Sequence, residues 1–558
     1  MKVLRLKKSV LFLIFLVACV AYSEQLAFPT AEGGGKFTDG GRGGKVMEVT
    51  NLNDDGPGSF REAVAGHEKK TVVFRVSGTI ILERGLDVGG YTTIAGQTAP
   101  GDGITLRKYP IFVIGEQVIM RYIRVRLGDE AKKKVDAITA REFRALPDGY
   151  QYFGSLDPAK AKNELEKDGM GWHDVKGPVK EECTNLIFDH VTTSWSLDES
   201  FSVYHCPDVT IQWCLLSESL NQNKHAFGAI WGGRDNNYHH NLIVSHASRN
   251  VRFCGGTENC DYRNNVCFNW GYRSIYGGEN CQNNGATGKC FDRWKFSSVN
   301  VVGNFYKKGP ASTDGKMAGV DGGSWYFADN AGVTGHSGGK QLSSPVEVKY
   351  PIKEQSAEDA YKDVLAHAGC SITRDPVDLR IVQEVETGKT TYGNGIINSQ
   401  KDVGGWPELK SLPAPADGDH DGMPDSWEKT MNLNPDDPED RNKIGGGGYT
   451  NLELYLNSLV VHDSVIIAPI LAKMASNTGI KISQANQQKI NLSFPQKSKI
   501  TVEFFDIKGK RCAVLVDKTM EDGKYTVDYS GLNLSTGSYV CKFSTGNTTF
   551  SKKMFLIQ

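Results

Sequence analysis

A chain of 558 residues has room for several domains and a large core. Its 64 Lys plus Arg balance 65 Asp plus Glu, which excludes an overall charge that draws it to nucleic acid or an anionic membrane, so an acidic ligand has to be met locally. The 62 glycines, with no long helical periodicity, exclude a bundle or coiled coil and point to a β-rich, turn-rich protein.

Residues 1–23 read as a signal peptide. Lys2, Arg5, Lys7 and Lys8 precede an apolar run from Val10 to Val20, and Ala21-Tyr22-Ser23 is a small-x-small cleavage site. The run is short for a membrane span. Leu16-Val17-Ala18-Cys19 also resembles a lipobox, so a lipid on Cys19 is the alternative. Of the 12 cysteines, Cys254/Cys260, Cys281/Cys290 and Cys512/Cys541 are options for disulfides in an exported chain, and sequence does not decide among pairings. The chain has no CxxC pair, which argues against zinc.

After a Gly-rich opening, Ser59 to Ala63 is a short amphipathic segment suited to capping the end of a stack. Residues 71–82, 91–97, 104–115 and 118–129 follow as strand-like runs separated by Gly-bearing turns. From Cys183 to Tyr306 the runs recur, and aligning His190, Cys214, Asn241, Asn265 and Asn304 gives steps of 24, 27, 24 and 39 residues. Such a repeat without intervening helices fits the coils of a parallel β-helix, in which each coil buries its apolar face only by stacking. A large β-sandwich is the competing reading of the spacing. Between Asp136 and Cys183 lies an insertion whose Asp157-Pro158 start and Gly169 end predict a surface helix, either roofing a groove or merely decorating it.

The Phe-Pro-x-Ala-Glu-Gly opening, TTIAGQTAPGDGITL, VIMRYIRVRLGDE, VDAIT and LIFDHVTTSWSLDES together resemble the pectate lyase family, polysaccharide lyase family one, over about residues 27–405. SAEDAYKDVLAHAG and RDPVDLRIV resemble the tail that wraps back along the helix in one branch of that family. The resemblance implies a right-handed parallel β-helix and calcium-dependent β-elimination on α-1,4-polygalacturonate. That chemistry needs cations on the substrate carboxylate, a base for the C5 proton and help for the leaving oxygen; calcium suits the first because it takes carboxylate oxygens from both sides.

Residue by residue, the resemblance makes Asp136 and Asp198 calcium ligands. The second acid of the latter strand is replaced by Ser202, which leaves Glu199 to supply the charge. Lys224 is similar in place to the Lys that grips the substrate carboxylate, with His225 beside it. In HNLIVSHASRNVRF, Arg249 takes the place of the family's proposed base, Val251 replaces a Pro, and Cys254 replaces the helper Arg, for which Arg252 is the substitute. Guanidinium is ordinarily a permanent cation. Nearby cations would favour its neutral form, and His246 or His225 is the more conventional base or substrate contact.

Beyond the Pro- and Ala-rich linker 411–416, residues 417–428 read DGDHDGMPDSWE and match the EF-hand loop at every position. Asp417, Asp419, Asp421, Met423 (by its carbonyl), Asp425 and Glu428 are the ligands and Gly422 makes the tight turn. The loop is similar to thrombospondin type 3 or dockerin calcium loops. Residues 465–558 alternate apolar and polar over short strands, as in an antiparallel β-sandwich, and resemble a type IX secretion sorting domain.

The expected architecture is therefore signal peptide (1–23), parallel β-helix (24–410), linker and calcium-loop module (411–460) and β-sandwich (465–558). The expected protein is a secreted or surface-attached monomeric pectate lyase with calcium as cofactor, pectin as substrate and the secretion machinery as partner of its C-terminal domain. The alternatives are a pectin lyase on methylated substrate, a β-helix glycoside hydrolase, which needs paired carboxylates flanking the bond, and a non-catalytic uronate binder that keeps the cations without a base.

Overall fold

The computed structural model describes residues 24–130, 136–141, 183–204, 206–278, 297–475, 481–486, 489–494, 497–506, 510–532, 534, 537–545 and 548–556. The signal peptide, the insertion helix expected near 157–169 and the Cys281/Cys290 pair lie outside these residues.

Among the described residues, three sheets of eleven, nine and seven strands lie between Lys45 and Gln341, and every neighbouring pair in them is parallel. The chain visits them in turn. Val118–Arg121 lies in the first sheet, Ile123–Arg126 in the second and Ile138–Arg141 in the third; Leu186–Asp189, Thr192–Ser194 and Phe201–Tyr204 then repeat the circuit one coil on. This is the right-handed parallel β-helix, and the sandwich reading of the spacing falls. Its interior is built of rows, one residue per coil: Ile94, Met120, Phe188, Ile211, Tyr238 and Tyr262 pair in register along the first sheet, all buried. A row of this kind hides its apolar surface only when the coil above and the coil below are both present.

The turn between the first and second sheets explains the recurring motif. Cys214, Asn241, Asn265 and Asn304 occupy one position of successive coils, joined by hydrogen bonds in which each backbone amide donates to the Oδ1 of the next Asn, at 2.8–3.0 Å. Asn330 extends the ladder by another coil. His190 is one residue out of step, because the sheet register pairs Asp189 with Gln212 and so aligns His190 with Trp213. The position before the ladder is left-handed throughout: Tyr122, His190, Trp213, His240 and Asn264 have φ of 54–56°. Four of these are aromatic and stack outside the turn, with ring centroids 4.7 Å apart for Tyr122/His190 and 4.3 Å for Trp213/His240.

The short helix Phe60–Val64, N-capped by Ser59, lies at the start of the stack and sets Phe60 against Phe74. At the other side, helices Ala357–His367 and Pro376–Thr387 cover the outer face of the second sheet, where Val364, Leu365, Ile381 and Val385 pack on Leu242, Val244 and Phe268. Asp375 and Asp378 there meet the buried Arg126.

The acidic loop is followed by helices Asp425–Met431, Asn451–Ser458 and Val461–Ala475. The last was not anticipated, since Pro469 sits inside it and interrupts the helical pattern. The C-terminal strands form antiparallel sheets of three and four strands, whose Leu492, Ile500 and Phe504 share a core with Met423, Trp427 and Leu471 of the helical module and with Val73 and Ala95 on the β-helix. Cys260 and Cys512 are thiols, so neither Cys254/Cys260 nor Cys512/Cys541 is a disulfide.

Candidate active site and cation sites

Apart from Arg252, which is on the third sheet itself, the predicted catalytic and cation-binding residues of the β-helix fall in the turns that lead from the second sheet into the third, one coil after another. Asp136 precedes the strand Ile138–Arg141, Asp198 and Glu199 precede Phe201–Tyr204, Lys224 and His225 precede Ile230–Trp231, and Arg249 precedes Arg252–Phe253. Because the third sheet is in register, Glu199, Phe227 and Ser248 bridge in parallel. Glu199, Phe227 and Ser248, 28 and 21 positions apart in sequence, therefore sit on adjacent coils, about 4.8 Å apart in the pairing direction.

Carboxylate oxygens of Asp136, Asp198 and Glu199 lie within 4.8 Å of one another. That spacing suits a hard cation with oxygen ligands at about 2.3–2.6 Å, since ligands on opposite sides of such an ion are about 5 Å apart. Asp136 also accepts from the Thr139 hydroxyl at 3.2 Å. Ser202 does not take part. It is buried on the third sheet, where its oxygen lies 3.4 Å from the Ile230 amide.

Arg249, in a left-handed conformation with φ of 58°, reaches back across a coil. Its guanidinium lies 4.3 Å from the centroid of the Phe227 ring, contacts the Glu199 carboxylate, comes within 3.8 Å of Asp198 and donates from Nε to the Tyr276 hydroxyl at 3.2 Å. Phe227 and Tyr276 were not singled out in the sequence; only the register between coils brings them beside Arg249. Arg252 stands next to Ile230 and Tyr276 on the outer row of the third sheet, 5.9 Å from the Tyr276 ring. Lys224 is exposed in a left-handed position at the end of a short 3-10 turn. The His225 ring centroid is 4.5 Å from that of Phe227.

One expectation is corrected. His246 is fully buried, its Nδ1 facing the Ser219 amide at 3.4 Å, and burial pushes its pKa down to about 3; a side chain with no exposed surface does not contact a polymer. Cys254 is also buried, packed so closely that a Cβ on Gly232 would fall 2.1 Å from its sulfur. It offers nothing in place of an arginine.

The loop 417–428 builds a second acidic centre. Oxygens of Asp417, Asp419 and Asp421 lie within 4.8 Å of one another, as do those of Asp421, Glu428 and Asp440. Gly422 has φ of 89°, the left-handed turn the motif requires. Met423 is buried and its amide donates to Asp421 at 2.8 Å. Asp425, expected as a ligand, instead accepts from the Gly418 amide at 2.7 Å and lies 3.7 Å from Lys429. Burial, and then repulsion among the neighbouring carboxylates, raises Asp421 to about 7 and Glu428 to about 8.

A family model described as a secretion system C-terminal sorting domain matches residues 484–558. The chain is 33% identical over 475 residues to a protein of Aspergillus flavus named probable pectate lyase C, an alignment covering 80% of this chain and 97% of that one. It is 30% identical over 464 residues to a protein of Aspergillus terreus with the same name, covering 79% and 96%. These shares exceed what residues 1–410 alone can supply, so the likeness continues into the acidic-loop module. Among solved structures, the major cedar pollen allergen jun a 1 aligns at TM-score 0.43 and 16% identity, covering 61% of this chain and 92% of that one. A pectate lyase described in terms of its anti β-elimination mechanism aligns at 0.41 and 13%, covering 62% and 98%.

Proposed function

The chain belongs to the pectate lyase family, a polysaccharide lyase, and from that premise we propose that it cleaves α-1,4-polygalacturonate by β-elimination with calcium held at Asp136, Asp198 and Glu199. The observation that carries this reading is the convergence of three carboxylates and one guanidinium, supplied by three coils, at a single point. When bound, calcium would neutralise the uronate carboxylate and so make the C5 proton more acidic.

The protein's own groups then divide the work. Lys224, exposed between the acids and Arg249, pairs with the uronate carboxylate. Arg249 is the base. Its contact with Glu199 suits the charged guanidinium, so proton abstraction requires that contact to open, while Phe227 beneath it and Tyr276 beside it keep the group over the groove. Arg252, half-buried on the third sheet, faces the leaving-group side, and His225 lines the approach.

The sorting-domain match supports export through a secretion system that reads the C-terminal domain, with the polymer met outside the cell. The mature enzyme acts as a monomer. We divide it into the β-helix to about residue 410, the acidic-loop module and the C-terminal sandwich, with residues 1–23 removed as a signal peptide.

The test is the absorbance of unsaturated uronide ends on polygalacturonate, with and without chelator. Loss of activity in chelator and recovery with calcium is the expected result; full activity in excess chelator rejects the calcium assignment. Because the acidic loop would also bind calcium, the assay is repeated on full-length Glu428→Gln. A chain cut near residue 410 is the poorer control: it would uncover Val73 and Ala95 and take Asp463 from the buried Arg121, 2.9 Å away.

A further inference from the structure

We propose that Asp440, outside the twelve-residue loop, is a ligand of the cation bound there, taking the place that Asp425 leaves, and that this cation fastens the helical module to the first coils of the β-helix. The inference is independent of the lyase site.

Two observations point the same way. Asp440 has an oxygen within 4.8 Å of ligand oxygens on both Asp421 and Glu428. The unsatisfied atoms are also the right ones: Asp421, Glu428 and Asp440 are each at most 2% exposed, and Asp421 Oδ2, both Glu428 carboxylate oxygens and Asp440 Oδ1 are buried without a hydrogen-bond partner. Asp440 Oδ2 is accounted for, since it accepts from the Asn434 amide at 3.0 Å. Buried carboxylate oxygens with neither donor nor cation are costly. Asp425 has no such vacancy to fill, its carboxylate being taken up by Gly418 and Lys429. All donors are oxygens, the set that selects calcium over softer metals.

The ligands at the two ends of this centre lead into the rest of the protein. The Asp440 carbonyl accepts from Asn451 Nδ2 at 2.8 Å, at the start of the helix Asn451–Ser458, and two residues on Glu453 pairs with Arg42 at 2.7 Å. At the other end Asp417 lies 3.5 Å from Arg75 of the β-helix, and Arg75 and His420 both meet Glu48. A cation drawing Asp417 and Asp440 together therefore joins the loop, the following helix and the first coils.

The test uses full-length protein carrying Asp136→Asn, so that the loop is the site titrated, and compares it with the same protein plus Asp440→Asn or plus Asp425→Asn. Calcium binding is followed by calorimetry and thermal unfolding with calcium and with chelator. Asp440→Asn is expected to weaken binding by at least about tenfold and to remove most of the calcium-induced rise in Tm, while in chelator it melts no lower than its parent, because a repelled carboxylate has gone. Asp425→Asn is expected to change affinity by less than about threefold. Parental calcium affinity in Asp440→Asn overturns the proposal, and so does a variant equally destabilised in calcium and in chelator, which would mark Asp440 as a structural carboxylate and not a ligand.

Discussion

Asn265→Ala tests whether the ladder holds the coils together. The side chain donates to the Tyr238 carbonyl at 2.9 Å and to Asn304 Oδ1 at 3.0 Å, and accepts from the Asn241 amide at 3.0 Å and Asn241 Nδ2 at 2.9 Å. Asn241 Nδ2 keeps the Ile211 carbonyl, but the Asn241 amide is stranded inside the protein. One buried donor left unpaired costs about 1–3 kcal/mol, and the three remaining lost bonds add about 1 kcal/mol each, so the substitution should cost roughly 4–6 kcal/mol. In a domain of this size that corresponds to a fall in Tm on the order of 5 °C. Asn330, at the open end of the ladder and half-buried, should cost about half as much in the same alanine series, since water reaches the groups it leaves. Urea midpoints at fixed incubation time, checked against unfolding rates because large β proteins unfold irreversibly, give the ranking. If Asn265→Ala falls within about 1 kcal/mol of the parent, or Asn330→Ala costs as much, the ladder is not what binds the coils.

Arg249→Lys should lower kcat far more than it raises KM, with the parental rate rising well above pH 7, because the lost interaction belongs to the transition state; a nearly active Lys variant with a bell-shaped optimum near neutrality would exclude Arg249 as base. His246→Ala should lower Tm by removing a buried ring and leave kcat within about twofold; a large loss of kcat in protein of unchanged Tm would return His246 to the chemistry. Asp375→Asn withdraws a charge from the buried Arg126 and should destabilise by about 3–5 kcal/mol in urea, less if Asp378 alone suffices. Burial works to raise the Asp189 carboxyl, but His190, Arg121 and the hydrogen bonds from His190 and Gln212 outweigh it and hold the carboxyl well below its ordinary range. Its folded value is thus below its unfolded one, so its stabilisation is present above about pH 4 and lost as pH falls through that value and below. Urea midpoints from pH 6 to pH 3 should fall less steeply in Asp189→Asn, and an unchanged slope would refute the assignment.

What the sequence made legible is what each coil must repeat for itself. The ladder asparagines recur because every coil needs a side chain that bonds the coil before it, so Cys214, Asn241, Asn265 and Asn304 align on spacing alone. His190 went astray because the left-handed position and the ladder position are neighbours, and both accept polar residues. The acidic loop was legible for a similar reason: its ligands and turn glycine are local, and their order is the geometry. Asp425, which the pattern admits as a ligand, lies outside the close carboxylate groups among the described residues, its Oδ1 accepting from the Gly418 amide. Asp440 carries no motif, since its place is fixed by the turn after Asn434 and not by its distance from the loop.

Contacts between coils were legible only as far as the resemblance reached. It located Asp136, Asp198 and Arg249, each in its own turn, but it could not say that the guanidinium and Glu199 touch, because that depends on the tilt of one side chain across the coil that carries Phe227. The contact changes how the site must be understood. In the proposed mechanism Glu199 would supply a ligand and Arg249 a base. In contact, the guanidinium and a cation would draw on the same Glu199 carboxylate, and Asp198 lies 3.8 Å from the same guanidinium. If Glu199 supplies the charge that an acid at Ser202 would have contributed, it does so while in contact with Arg249, so under the proposed mechanism cation binding and proton abstraction would be coupled through that ion pair.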